Sequence, residues 1–286
     1  MDCTIKVLLA PAAATFVSLL ALAHPAVAVD GVIEINHAKA LAGGVTASDT
    51  PGYPVTIDRA GSYRLTGNLT VPNENTSGIT VSANDVGIDL NNFAIIGPVT
   101  CSGSPLTCSH SSTSGTGIRG LSIGTSVKNG SITGMGYWGV VLQEQAEVTN
   151  LRLRWNRNTG IHASMGSKIS GNTVYQNGAY GIVAGDGSTV SGNTAFNNGN
   201  HGISAKISSM VSGNTAYSNG GDGIELRTGS TVSGNTIYGN TGYGINFTFY
   251  SGAYSGNVIS NNTAGTVNGT AVEFGQNVCN GSTTCP

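Results

Sequence analysis

The stretch "VSGNTAYSNGGDGIELRTGS" (211–230) decides the fold, because almost the same sentence stands before and after it. Its Ser-Gly-Asn triplet begins at Ser170, Ser191, Ser212, Ser233 and Ser255, with spacings of 21, 21, 21 and 22 residues. A second landmark, Gly followed by Ile or Val, falls at Gly117, Gly139, Gly160, Gly181, Gly202, Gly223 and Gly244. Its spacings are 22 and then 21 five times over. Two independent landmarks with one period define a repeat architecture.

The apolar columns say what is repeated. Val127, Val148, Ile169, Val190, Val211 and Val232 form one column, and Ile132, Leu153, Val174, Ala195, Ala216 and Ile237 form another. A third runs Ile118, Val140, Ile161, Ile182, Ile203, Ile224, Ile245, with Ala184, Ala205, Leu226 and Phe247 two residues on. Spacing of two is the strand period, and Gly/Asn-rich breaks supply turns. Short strands with branched or small inward residues make each repeat one coil of a parallel β-helix. Coils stack at roughly 4.8 Å, so about eight or nine give a rod roughly 40 Å long. One coil cannot bury its own face, so stability is nearest-neighbour and the ends need caps. Leucine-rich repeats require a Leu framework that is missing here.

The Asn columns, Asn156/177/198/219/240 and Asn172/193/214/235, read as corner residues. Asn tolerates left-handed backbone angles and can bond the like amide one coil away. Gly171, Gly192, Gly213 and Gly234 read as tight corners.

The SGNT-x-x-x-N-x-x-x-GI repeat resembles the right-handed parallel β-helix proteins of the pectin-lyase-like superfamily, and "ANDVGIDLNNFAIIGP" (83–98) looks like that superfamily's usual first coil. The resemblance implies an all-β, single-stranded right-handed solenoid. It is specific for fold and poor for function, because the superfamily holds polysaccharide lyases, glycoside hydrolases, uronan epimerases and a copper-loading group. The chain divides as a secretory signal over 1–28, an N-terminal cap over 29–76, the β-helix over 77–275 and a disulfide-closed cap over 276–286. Within the first cap, "GVIEINHAKALAGG" (31–44) reads as a short amphipathic helix stopped by Gly43-Gly44.

The leader has an apolar run ending in Ala26-Val27-Ala28, a cleavage signature, and Pro11 and Pro25 disfavour a permanent span. It removes Asp2 and Lys6 together, so the net charge of −2 stays, which is no footprint for nucleic acid or an anionic bilayer. Export places the protein outside the cell, at its surface or in the periplasm. Four cysteines remain, as Cys101/Cys108 and Cys279/Cys285, and in an exported chain they suggest two local disulfides. A zinc site is the rival, but the spacings depart from the usual pattern. No metal or cofactor is called for. His37, His110, His162 and His201 are scattered, where copper would want a cluster.

Chemistry must lie in the outward columns. One position before the repeated Gly stand Trp138, Thr159, Tyr180, His201, Asp222 and Tyr243. His201 and Asp222 are then stacked neighbours, either a general acid/base pair or a solvated pair at a permissive corner. A second patch holds His162, Glu225, Lys206 and Arg227. The superfamily's lyases need a base and a cation to stabilise an enolate, and a plain surface ion-pair patch is the alternative. One coil is dense in bases, with Arg152, Arg154, Trp155 and Arg157. It either grips an acidic polysaccharide or pairs with Glu144 and Glu147. Tyr175, Phe196, Tyr217 and Tyr238 make an aromatic column, a ladder for sugar rings or a stack that finishes a corner.

Weak acid/base clustering, short loops after residue 117, near-perfect repeats and only 9% charged residues favour a carbohydrate-interacting or structural surface protein. The alternative is a polysaccharide lyase, hydrolase or epimerase, although no Asp-Pro-His triple occurs. Under it, His201 and Asp222, or His162 and Glu225, are the catalytic pairs, with Lys206, Arg227, Tyr180, Tyr217, Arg154 and Trp155 on substrate. A remote third reading is ice binding through Ser170/191/212/233 and Thr173/194/215/236.

Overall fold

The computed structural model describes residues 31–109, 114–249 and 252–285, and the expected leader lies outside them. The chain winds as a parallel β-solenoid of about ten turns. Its first face is a 10-stranded sheet from Val55–Ile57 to Gly265–Asn268. In a typical coil, Ile182–Ala184 lies on the first face, Thr189–Ser191 on the second and Thr194–Phe196 on the third. The strands Ser126–Thr133 and Glu147–Arg154 run from the second face into the third without a break. Neighbouring coils pair in parallel and in register, so Ile161, Ile182, Ile203 and Ile224 stand directly on one another. The aliphatic columns read from the sequence are the buried core.

Each regular coil has three left-handed corners. The rows are Gly124/Gln145/Gly166/Gly187/Ser208/Gly229, Asn129/Asn150/Gly171/Gly192/Gly213/Gly234 and Trp155/Gln176/Asn197/Ser218/Gly239, with φ between +52° and +72°. The Asn ladders differ here from expectation, because left-handed angles belong to the residue just before each ladder Asn. The Asn turns inward after the bend, where its amide satisfies backbone groups that the corner leaves facing the core. Asn193 Nδ2 donates to Ile169 O at 2.9 Å and to Asn214 Oδ1 at 3.0 Å, and that oxygen also accepts the Asn193 N–H at 2.9 Å. Asn177, Asn198, Asn219 and Asn240 repeat the pattern at the next corner. These amides are buried and fully partnered, which removes the cost of burying polar groups. The column Gly160, Gly181, Gly202, Gly223 has a different cause. A Cβ on Gly202 would fall 2.6 Å from Asn219 Nδ2 and 2.8 Å from the Gly223 carbonyl oxygen.

The ends are more regular than the sequence suggested. Of the stretch 31–44, only His37–Ala42 is helical (α1), capped by Asn36, whose side chain accepts the Lys39 N–H at 2.9 Å. Before it, Val32–Ile35 is a strand, because its residues pair in parallel with Ser62–Leu65. Parallel pairing therefore starts at Val32 and continues to Cys279, which raises the coil number above eight or nine.

Both cysteine pairs are disulfides, Cys101–Cys108 and Cys279–Cys285, and not zinc ligands. The first closes a hairpin of Cys101–Ser102 and Thr107–Cys108. The hairpin's tip forms a groove with the corner row Gln176, Asn197, Ser218 and Gly239. The second differs from expectation in its setting. Cys279 belongs to the last strand, Val278–Cys279, which pairs in parallel with Val258–Ile259, so it is part of the solenoid. The exposed turn at 280–284 leads back to Cys285, which is half-buried and packs against the aliphatic core. Cys285 therefore covers the final rung itself, where the sequence suggested a cap distinct from the coils. The physical reason is the short span of the bridge: with a sequence separation of 6, the disulfide holds the returning chain against the buried Cys279.

Candidate functional site

The first face brings together His201, Asp222, Glu225, Ser204, Tyr180 and Asn246. Ser204, Glu225 and Asn246 are register partners on three successive rungs, while His201 and Asp222 stand just before the repeated Gly. The backbone N–H of Asp222 donates to His201 Nδ1 at 2.7 Å, an acceptor role that puts the ring proton on Nε2. Nε2 lies 4.0 Å from Glu225 Oε2, and Ser204 Oγ donates to the same oxygen at 2.7 Å. Asp222 is almost enclosed, its side chain 6% exposed, and its oxygens already accept the Tyr243 N–H at 2.7 Å and Asn246 Nδ2 at 2.8 Å. Asp222 Oδ2 is 3.4 Å from His201 Nδ1. Asp222 thus fixes the backbone of the next coil, whereas Glu225 and the His201 Nε2–H keep some access to solvent.

Aromatic rings extend this surface along the rod. Tyr180 lies 5.4 Å from the His201 ring, and Trp138 meets His162 edge-on at 5.9 Å. His162 is held below the usual imidazole range, first by burial and then by the positive charge of Lys206. Arg227 sits over the Phe249 ring at 5.4 Å. The column two residues after the repeated Gly could have shown Asn246, one coil beyond Glu225, but the sequence reading stopped short of it.

The remaining candidates lie on the third face and its corner. Tyr175, Phe196, Tyr217 and Tyr238 stack with centroids 4.8–5.0 Å apart and planes within 2° of parallel. Tyr217 has rings on both sides, so it presents an edge and its hydroxyl to a partner. Arg154 lies over the Trp155 ring at 4.1 Å, and Trp155 Nε1 donates to Gln176 Oε1 at 3.1 Å. Glu147 pairs with Lys168 at 3.0 Å, and among the described residues it makes no ion pair with the arginine coil.

Coils wound in one hand over a shared aliphatic interior are also a family signature. The family described as "Right handed beta helix region" matches residues 31–205 and 112–264. The chain belongs to this right-handed β-helix family. Among solved structures, the β-helix protein is similar to the A-module of the mannuronan C-5 epimerase AlgE4 from Azotobacter vinelandii. The identity is 15%, the TM-score is 0.60, and the similarity covers 83% of this chain and 70% of that one. It is also similar to the pectate lyase Pel9A, at 15% identity and a TM-score of 0.56 over 85% of this chain and 77% of that one. At this identity the likeness is one of fold alone. No curated protein matches the sequence. Among the described residues, no helix is long and apolar enough to cross a membrane.

Proposed function

We propose that this β-helix is an exported carbohydrate-binding rod that contacts polysaccharide through its first face. The observation that carries the reading is the column Trp138, Thr159, Tyr180, His201, Asp222, Tyr243, which changes at every rung while the Gly and Ile columns that follow it repeat. It sets flat rings beside fixed hydrogen-bonding groups, the usual furniture of a sugar site. Asp222 is nearly enclosed and its oxygens accept from Tyr243 and Asn246, while His201 Nδ1 accepts the Asp222 N–H, so both side chains are tied to structure, which favours binding over turnover. Two disulfides and the apolar leader support an oxidising, extracytoplasmic setting. Both similar structures are named for acidic polysaccharides, mannuronan and pectate, which makes these the first ligands to try.

One observation favours a second reading, a polysaccharide lyase or epimerase. His162, pushed below the usual imidazole range by burial and then by the charge of Lys206, is a base with a cation two coils further along the rod. Such a pair suits removal of the proton next to a uronate carboxylate.

Affinity electrophoresis of residues 29–286 against neutral and acidic polysaccharides tests the first reading. Tyr180→Ala and His201→Ala should each weaken binding about tenfold, equivalent to about 1.4 kcal/mol. Undiminished binding by both variants removes the first face as the contact surface. New unsaturated uronate or reducing ends, lost in His162→Ala, would establish the second reading instead.

A further inference from the structure

The aromatic stack on the third face has two unlike ends. A ring inside the stack has both faces covered by neighbours one coil away, so only Tyr175 and Tyr238 have a free face. Beyond Tyr238 the next outward residue in register is Ser260, a small neutral group. Beyond Tyr175 the column continues through Arg154 to Thr133, and the neighbouring column carries Arg152 and Ser131. Arg154 bends over Trp155 rather than covering the Tyr175 ring. These five residues, Ser131, Thr133, Arg152, Arg154 and Tyr175, line a depression at the open end of the stack.

Charge and hydrogen bonding at the depression are uncompensated. Among the described residues neither Arg152 nor Arg154 forms an ion pair, and Glu147, on the second face of the same coil, pairs with Lys168. Thr133 Oγ1 is buried without a hydrogen-bond partner, and such a group costs stability unless a partner arrives. Two guanidinium forks match the geometry of a carboxylate or sulfate. A free aromatic face suits the apolar side of a sugar ring.

We propose that this depression is a saccharide subsite, separate from the first face, for a sugar unit bearing an oxyanion. The sugar stacks on Tyr175 and its carboxylate or sulfate is held by Arg152 and Arg154. A rotation of the Thr133 side chain brings Oγ1 to a sugar hydroxyl, the partner that it lacks. The stack behind Tyr175 keeps the ring from tilting, so it works as a rigid anvil.

Calorimetric titration of residues 29–286 tests this, using oligouronate, a sulfated oligosaccharide and a neutral oligosaccharide of equal length. The work is done in wild type and in His201→Ala, so that loss of first-face binding is read separately. Expected is binding of at least one anionic oligosaccharide that survives His201→Ala, weakens with salt, and falls at least tenfold in Arg152→Gln/Arg154→Gln. Tyr175→Ala should lose it, Tyr175→Phe should keep it, and Tyr238→Ala at the uncharged end should bind as wild type. Whichever of the uronate and sulfate ligands binds more tightly identifies the oxyanion. The proposal is overturned if no anionic oligosaccharide binds in the His201→Ala background, if the neutral one binds equally well, or if the arginine and Tyr175→Ala variants, shown folded by circular dichroism, bind as wild type.

Discussion

The third face repeats itself, and the first face does not. On the third face the outward residues are Thr173, Thr194, Thr215 and Thr236, and beside them Tyr175, Phe196, Tyr217 and Tyr238. On the first face, the residue before the repeated Gly changes from Trp138 to Thr159, Tyr180, His201 and Asp222. The difference follows from what in-register stacking rewards. A planar ring or an amide gains by meeting its own kind one rung away, as in the interior Asn ladders, so such columns become uniform. A column that varies draws no such gain from self-pairing. Its residues answer to something outside the coil, and where a uniform column is interrupted, as at Arg152 and Arg154, the same inference applies.

The largest expected effect is in the interior. Asn198→Ala removes the acceptor of Asn177 N–H and the donor to Val174 O and Asn219 Oδ1. Each buried group left unsatisfied costs about 1–3 kcal/mol, with some relief from remaining partners, so a loss of about 2–4 kcal/mol in urea unfolding is expected. A stability within about 0.5 kcal/mol of wild type would mean that the ladder is passive and that uniformity needs another cause. The outer stack should matter less. Phe196 sits between Tyr175 and Tyr217 at 4.9 and 4.8 Å, and Phe196→Ala should cost about 1–2 kcal/mol. Phe196→Tyr, which keeps the ring, should be nearly neutral.

These regions also differed in how much of them the sequence could reveal. Self-pairing columns were legible because their spacing alone places them: the coil, the inward aliphatics and the aromatic stack all follow from a 21-residue period. The strand Val32–Ile35 was hidden, since four residues ahead of a helical HAKALA have no repeat to announce them. At the other end the pairing of Cys279 with Cys285 was legible, but the packing of Cys285 on the core was not, because no column leads to it. In the candidate site, spacing placed His201 next to Asp222. It could not show that the Asp222 amide occupies Nδ1 or that Tyr243 and Asn246 each donate to the carboxylate, because these bonds depend on backbone direction in the following coil. Likewise the stack was visible, but its free face at Tyr175 depends on which way Arg154 bends.

A titration on the varying face sharpens the contrast further. His162 has its folded pKa below the ordinary value, through burial and then Lys206, so the unfolded chain takes up a proton more readily than the folded one. Its contribution to stability is complete above about pH 6.5, the unperturbed imidazole value, and declines as the pH falls below it. Thermal melts should therefore show a shallower acid decline in His162→Gln than in wild type. An identical decline in both proteins would place the acid sensitivity elsewhere and leave His162 without a titrating role on that face.

The smallest effect belongs to the coil where the uniform face is interrupted. Lys168 and Glu147 pair at 3.0 Å with side chains 61% and 47% exposed, a geometry that water and salt screen strongly. Glu147→Gln should change stability by no more than about 0.5 kcal/mol. Its value is diagnostic. Glu147 is engaged by Lys168 and not by Arg152 or Arg154, so neutralising it should leave the affinity of the third face for an anionic saccharide within about twofold, equivalent to about 0.4 kcal/mol. A gain of tenfold or more would show that the carboxylate had been offsetting the arginines. The break in the repeat would then be an internally balanced charge cluster, and the two faces would differ less than their sequences suggest.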